Sequence, residues 1–184
     1  MRYFLFLSLP LYVLDQITKY LILANFPDPY TGPGRPPIEV IPGFFNIVRV
    51  HNTGMAWGTL NGWDHANLLF GAIAISAVTA IIVLWRKNAF PTEAGKTSAA
   101  LLISGVLGNF TDRILPNRGY VVDFLDFKLP LYDKLFPSSG GHFPSFNVAD
   151  SCICIAAFLL FITAFREEST ASGKAKEQDG SSAS

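Results

Sequence analysis

Two aspartates in this 184-residue chain stand where a carboxylate is costly. Asp150 lies near the start of "FPSFNVADSCICIAAFLLFITAF", a run apolar enough from Val148 onward to cross a bilayer. Asp123 sits behind two valines in "GYVVDFLDF". A carboxylate at the edge of hydrocarbon has to be neutralised or used. Two carboxylates brought close in a low-dielectric site cannot both ionise, so one keeps a proton. The ionised partner can take a proton from water while the protonated one donates to a carbonyl. That is peptide-bond hydrolysis with neither metal nor nucleophilic side chain. Each acid also has a plainer reading. Asp150 is placed to close a capping box with Asn147 as N-cap, and Asp123 to be a solvated loop acid like Asp126 and Asp133.

Other polar residues lie in or beside apolar runs. Asp15 and Lys19 are four apart, so on a helix they share a face and can pair. They form either a self-neutralising ion pair or one wall of a polar cavity. In "SGVLGNFTDRILP", Gly105 and Gly108 permit close helix approach. Asn109 precedes Arg113 by four residues, with Asp112 adjacent. A snorkelling Asp112–Arg113 cap accounts for the last two but not for Asn109, a turn deeper. His51, His65 and His142 lack ligand spacing, so no metal and no cofactor is expected. Cys152 and Cys154 point to different sides of a helix and read as packing residues.

These groups must be positioned by membrane elements. Residues 3–24, 66–85, 97–115 and 148–165 are each long enough to span ~30 Å of hydrocarbon. The first begins like a signal peptide, but its apolar pattern resumes after Lys19 and no small-residue cleavage site intervenes, so it reads as a retained helix. The fold class is a mainly α membrane protein with four transmembrane helices. Two excursions, 25–65 and 116–147, lie on one side. In the first, "IEVIPGFFNIVRVHN" alternates as short strands do, and "VVDFLDF" in the second has the β-branched and aromatic character of an extended segment. Residues 1–166 form one domain, and the Ser/Gly/Lys/Glu-rich segment 167–184 is expected to be a disordered cytoplasmic tail. Arg2, Arg86, Lys87 and Arg166 flank the spans closely and favour termini inside, excursions outside.

Half the residues are apolar, 15% are charged and the formal net charge is zero, so nucleic acid is not an expected partner. Besides a peptidase, two classes fit intramembrane acids. A small proton-coupled transporter or channel component would place them near the midplane with signs of repeated, interrupted helices. A non-catalytic assembly factor would leave the Asn109–Arg113 face unexplained.

Taken together, "DQITK" (15–19), "NTGMAW" (52–57), "GNFTDR" (108–113), "VVDF" (121–124) and "FNVADS" (146–151) resemble, in order, the five signature blocks of the lipoprotein signal peptidase (signal peptidase II) family. The resemblance implies an aspartic endopeptidase of the bacterial inner membrane, with an extracytoplasmic β-cradle and an extracytoplasmic active site. Its substrate would be a diacylglyceryl prolipoprotein, cut just before the lipidated cysteine, and the implied partners are this substrate and membrane lipid, the enzyme being a monomer. By position, the catalytic pair would be Asp123 and Asp150. Asn52, Asn109, Arg113 and Asn147 would line the site or hold substrate, with Asp15, Lys19 and Asp112 in support. The excursion 25–65 could close over substrate, with Phe44, Phe45, Met55 and Trp57 as its apolar underside. Two features depart from the family pattern. Ser104 stands where glycine is expected, and 125–145 is lengthened by "KLPLYDKLFPSSGGH".

Overall fold

A computed structural model describes residues 2–32, 35–54, 65–116 and 118–181, with side chains as far as Phe165. The chain enters through a π-helical turn, Phe4–Ser8, that leads into helix α1, Leu9–Asn25. Pro10 explains the wide turn: it has no N–H to donate, and its ring displaces the carbonyl four residues before it. Strands β1 (Ile38–Ile41) and β2 (Phe45–Asn52) follow, then helices α2 (Ala66–Arg86) and α3 (Glu93–Ile114). Strand β3 (Val121–Phe127), the short helix α4 (Pro130–Leu135) and helix α5 (Val148–Ser181) complete the order.

Among the described residues, three helices are long and apolar enough to cross a membrane: Phe4–Asn25, Ala66–Arg86 and, within α5, Val148–Phe165. Helix α3 has the length, yet it begins with Glu93 and Lys96 and ends with Asp112 and Arg113. Its buried face explains that tolerance. α3 packs on α1, α2 and α5, and buries Ser98, Ser104 and Asp112 rather than offering them to lipid. Close approach to α5 depends on two glycines. A Cβ at Gly105 would collide with the Ala149 carbonyl oxygen, and one at Gly108 would lie 2.7 Å from Asp15 Oδ2 and 2.9 Å from the Ala149 Cβ. α5 continues as helix to Ser181, through the segment 167–181 that the sequence reading took as disordered. The glutamates, lysines and alanines there favour helix and prolong the register already set by the span.

The three strands form one antiparallel sheet in the order β1-β2-β3. It rests on the end of α1 through a cluster of Ile22, Phe26, Val122 and Phe124. A second cluster, Leu101, Cys152 and Ala156, fills the α3–α5 seam. Alternation along β3 gives Val122, Phe124 and Asp126 one face and Asp123, Leu125 and Phe127 the other.

Candidate active site

β3 and the first turn of α5 bring Asp123 and Asp150 to a single asparagine. Asn147 caps α5: its Oδ1 accepts from the Asp150 N–H at 2.9 Å, while its own N–H donates to Asp150 Oδ2 at 3.2 Å. The capping box expected from sequence is therefore present. With that oxygen committed, the Asn147 amide group is left to donate, and it reaches Asp123 Oδ1 at 2.7 Å and Asn109 Oδ1 at 3.1 Å.

Two more asparagines are oriented by the same logic. The Asn52 oxygen accepts from the Gly54 N–H at 3.1 Å, so its Nδ2 donates to Asp123 Oδ2 at 3.0 Å. The Asn109 oxygen accepts from Lys19 Nζ at 2.9 Å, so its Nδ2 donates to Asp150 Oδ1 at 2.7 Å. Every carboxylate oxygen of Asp123 and Asp150 thus receives an N–H. Among the described residues, neither acid touches a cation. Burial first, and the Asp150 charge second, push the Asp123 carboxyl up to about 7.

A different carboxylate pair lies directly behind. Lys19 Nζ sits 2.9 Å from Asp15 Oδ2 and 2.8 Å from Asp112 Oδ2, all three side chains being fully buried. Arg118 adds a contact of 2.6 Å to Asp112 Oδ1. The Ala149 N–H donates to Asp15 Oδ1 at 2.9 Å, which ties α1 to the turn carrying Asp150. Lys19 therefore serves two acids from different helices, not Asp15 alone.

The proposed Asp112–Arg113 cap is not formed, because Asp112 turns inward to Lys19 and Arg118. Arg113 instead donates to the Gly54 carbonyl at 2.8 Å and to Asn67 Oδ1 at 3.1 Å, with its guanidinium 4.1 Å from the centre of the Phe70 ring. A cavity of about 390 Å³ opens here, with Asn52, Asn109, Arg113 and Asp150 on its polar side and Phe70, Ala74 and Ile153 on its apolar side.

The family described as Signal peptidase (SPase) II matches residues 7–166. The chain belongs to the signal peptidase II family. It is 36% identical over 179 residues to the lipoprotein signal peptidase of Haemophilus influenzae strain Rd, covering 96% of this chain and 90% of that one. To the lipoprotein signal peptidase of Neisseria meningitidis serogroup C it is 38% identical over 156 residues, covering 83% of each. A bacterial membrane enzyme solved by the in meso method at 2.3 Å resolution superposes with a TM-score of 0.73 at 34% identity, covering 90% of this chain and 89% of that one.

All the site residues named from this signal peptidase II chain's sequence fall into the two connected clusters or line the cavity. Met55 and Trp57 lie outside the described residues. Phe45 stacks on Phe127 with ring centres 4.7 Å apart, so it packs within the sheet. Sequence reasoning missed Arg118, Asn67 and Gln16. Gln16 donates to Asp15 Oδ2 at 3.0 Å and to the Gly108 carbonyl at 3.2 Å. The helical spacing of Gln16 beside Asp15 was a usable signal. Arg118 and Asn67 carried none, since Arg118 reaches Asp112 from the turn before β3 and Asn67 reaches Arg113 from the first turn of a different helix, α2.

Proposed function

We propose that this chain is an aspartic endopeptidase that removes the signal peptide of diacylglyceryl-modified prolipoproteins, cutting just before the lipidated cysteine. One observation carries the reading: buried Asp123 and half-buried Asp150 share one asparagine and touch no cation among the described residues, and Asp150 borders a cavity that is polar on one wall and apolar on the other. Charge balance among the described residues supports a shared proton. Asp15 and Asp112 are offset by Lys19 and Arg118, so the one described cation lining the cavity, Arg113, matches one negative charge on the dyad, not two.

Asp150 is the ionised partner in this reading. It receives two N–H donors at a helix N-terminus, where the backbone dipoles favour an anion. Asp123 holds the proton. Asp150 takes a proton from water as the water oxygen bonds to the scissile carbonyl carbon, and Asp123 gives its proton to the carbonyl oxygen. When the tetrahedral intermediate collapses, the C–N bond breaks, Asp150 passes its proton to the leaving amine, and the new carboxyl returns a proton to Asp123. Three asparagines hold both carboxyls through this cycle. No cofactor enters it.

Helix α3 is the fourth span, its polar ends at the two surfaces. Residues 1–166 are the peptidase domain in the bacterial inner membrane, termini in the cytoplasm and active site on the extracytoplasmic side, acting as a monomer on substrate held in lipid. The substrate's acyl chains stay in the bilayer, which is why the catalytic groups belong at its surface. No observation favours a transporter, since all of these acids but Asp15 lie towards one end of the spans.

The test is incubation of the purified protein in detergent with a diacylglyceryl prolipoprotein. Signal-peptide release is expected from the parent chain and not from Asp123→Asn or Asp150→Asn. Robust turnover by either variant removes that carboxylate from the mechanism. A reporter fused after Ser184 should report the cytoplasm and one inserted within residues 137–141 the far side, and the reverse pattern overturns the orientation.

A further inference from the structure

The lengthened segment after β3 folds as a small arm with a defined attachment. Lys128 donates its N–H to the Phe44 carbonyl at 2.8 Å, and Phe143 donates to the Phe127 carbonyl at 2.8 Å, so both ends of the arm are tied to the sheet. His142 Nδ1 lies 2.9 Å from both oxygens of Asp126, a second clasp on the same strand. Side chains continue the connection. Phe127 stacks on Phe146 at 5.7 Å, Phe146 meets Phe143 at 6.2 Å, and Phe143 meets Tyr132 of α4 at 5.4 Å. Phe146 is two residues before Val148, where a membrane span begins. The aromatic series therefore starts at the boundary of the bilayer and runs outward to α4.

What α4 displays at its free edge is apolar. Leu131 is 69% exposed and Leu135 65%, one turn apart on the same side of the helix. Tyr132 faces inward to Phe143, and Asp133 turns towards Gly141, where an added Cβ would lie 3.3 Å from its own. Lys134, exposed and next to Leu135 on α4, adds positive charge at the leucine edge, whereas Lys128 lies beside Asp133 at Gly141. Phe127 and Leu125 occupy the same face of β3 as Asp123, and both meet Phe146, two residues before α5 begins.

We propose that residues 128–145 form a lipid anchor in which Leu131 and Leu135 lie in the interfacial layer of the phospholipid bilayer, fixing the strand that carries Asp123 at the height of the membrane surface. Exposed leucines beside a lysine, connected through aromatic rings to the start of a span, match an amphipathic element lying in the interface plane. An anchor clamped to β3 by backbone bonds moves with β3, so lipid contact at α4 restrains Asp123. This rests on the orientation proposed above, with the sheet outside and Asp123 at the surface.

Leu135→Trp tests the anchor without using activity. Both leucines are exposed, so the variant, like Leu131→Trp, should fold as the parent does. In the full chain reconstituted into phosphatidylcholine and phosphatidylglycerol vesicles, the emission gained over the parent should be blue-shifted and quenched by lipid brominated near the headgroup. Ser138→Trp, at the tip of the arm, should give water-like emission that this lipid does not quench. Water-like emission from both leucine positions overturns the proposal. Shielding that ignores brominated lipid but grows with protein density assigns the edge to a second copy, and also overturns it. Parent cleavage activity in the same vesicles is read separately, so failure of the anchor and failure of the peptidase reading are distinguishable.

Discussion

Two pairs of carboxylates lie one layer apart in this protein, and their surroundings give them opposite properties. Asp15 and Asp112 share Lys19, and Asp112 also holds Arg118. Asp123 and Asp150 share Asn147 and receive only amide and backbone N–H groups. Burial alone does not separate them, since Asp15, Asp112 and Asp123 are all almost wholly buried. The difference is the partner. A cation fixes a carboxylate as an anion, whereas a neutral donor holds its geometry and leaves its proton free to change hands. Lys19 reaches across this divide by occupying the Asn109 oxygen, which turns the Asn109 amide onto Asp150. The inner pair therefore aims the outer one.

The largest effect is expected at the outer pair. Asp123→Asn and Asp150→Asn keep shape and one acceptor oxygen but remove the exchangeable proton site, so each should lower the cleavage rate by ~10³-fold or more, ~4 kcal/mol of transition-state stabilisation, while the melting temperature changes little. A paired assay of rate and melting temperature in one detergent decides it. If activity falls only with the loss of folded protein, Asp150 is a helix cap and no more.

The inner pair should behave in the opposite way. Lys19→Met leaves two acids buried without their shared cation and should cost about 3–5 kcal/mol of stability. Adding Asp15→Asn to Lys19→Met leaves Asp112 paired with Arg118, neutralises the cluster and should recover most of that loss in thermal melts. Failure of this rescue would mean that Lys19 matters for its shape or hydrogen bonds, and that charge does not divide the two pairs.

How much of this was legible follows from where each partner lies in the sequence. Asp15 and Lys19 are one helical turn apart, and so are Asn109 and Arg113, so local periodicity placed them on common faces. The box made by Asn147 and Asp150 was equally local. The plainer cap reading of Asp112 fails because its partners are not its neighbour Arg113: Lys19 comes from another helix and Arg118 from the turn before β3. Adjacent helix positions point about 100° apart, which sends Arg113 to the cavity and Asp112 to the core. The four-residue spacing could not reveal that Asn109 is locked by Lys19, a contact made only after α1 and α3 pack. Helix α4 escaped notice because six residues between prolines carry too little periodicity.

A smaller and graded effect is expected with pH. Burial and the Asp150 charge raise the Asp123 carboxyl from its ordinary value of 3.8 to about 7. The folded chain then holds a proton that the unfolded chain has lost, so this group's contribution to stability is present at low pH and declines as pH rises from about 4 to about 7. If Asp123 is the proton donor, kcat/KM should also fall by about tenfold per pH unit above that upper limit. Asp123→Asn should flatten the stability slope, measured by denaturant melts across the range. A parent slope of the opposite sign would place the proton elsewhere.

The smallest effect is expected at Asp126, which tests whether burial by itself marks a working acid. The sequence placed it in water, but it is buried, because β3 turns it to the face opposite Asp123. There its Oδ2 accepts from Asn46 Nδ2 at 2.8 Å, and His142 Nδ1 closes on both oxygens. Asp126 thus has a neutral donor like the dyad and an imidazole that can carry charge, but among the described residues it does not share a donor with a second carboxylate. Asp126→Asn retains an acceptor for the ring and should cost about 1 kcal/mol through the weakened His142 contact. That loss should appear as a small drop in melting temperature, with kcat in detergent unchanged. A loss of kcat comparable with that of Asp150→Asn would sink the distinction, because it would mean that any buried acid on β3 disturbs the chemistry. An unchanged kcat leaves the pairing of two cation-free carboxylates as the feature that sets Asp123 and Asp150 apart.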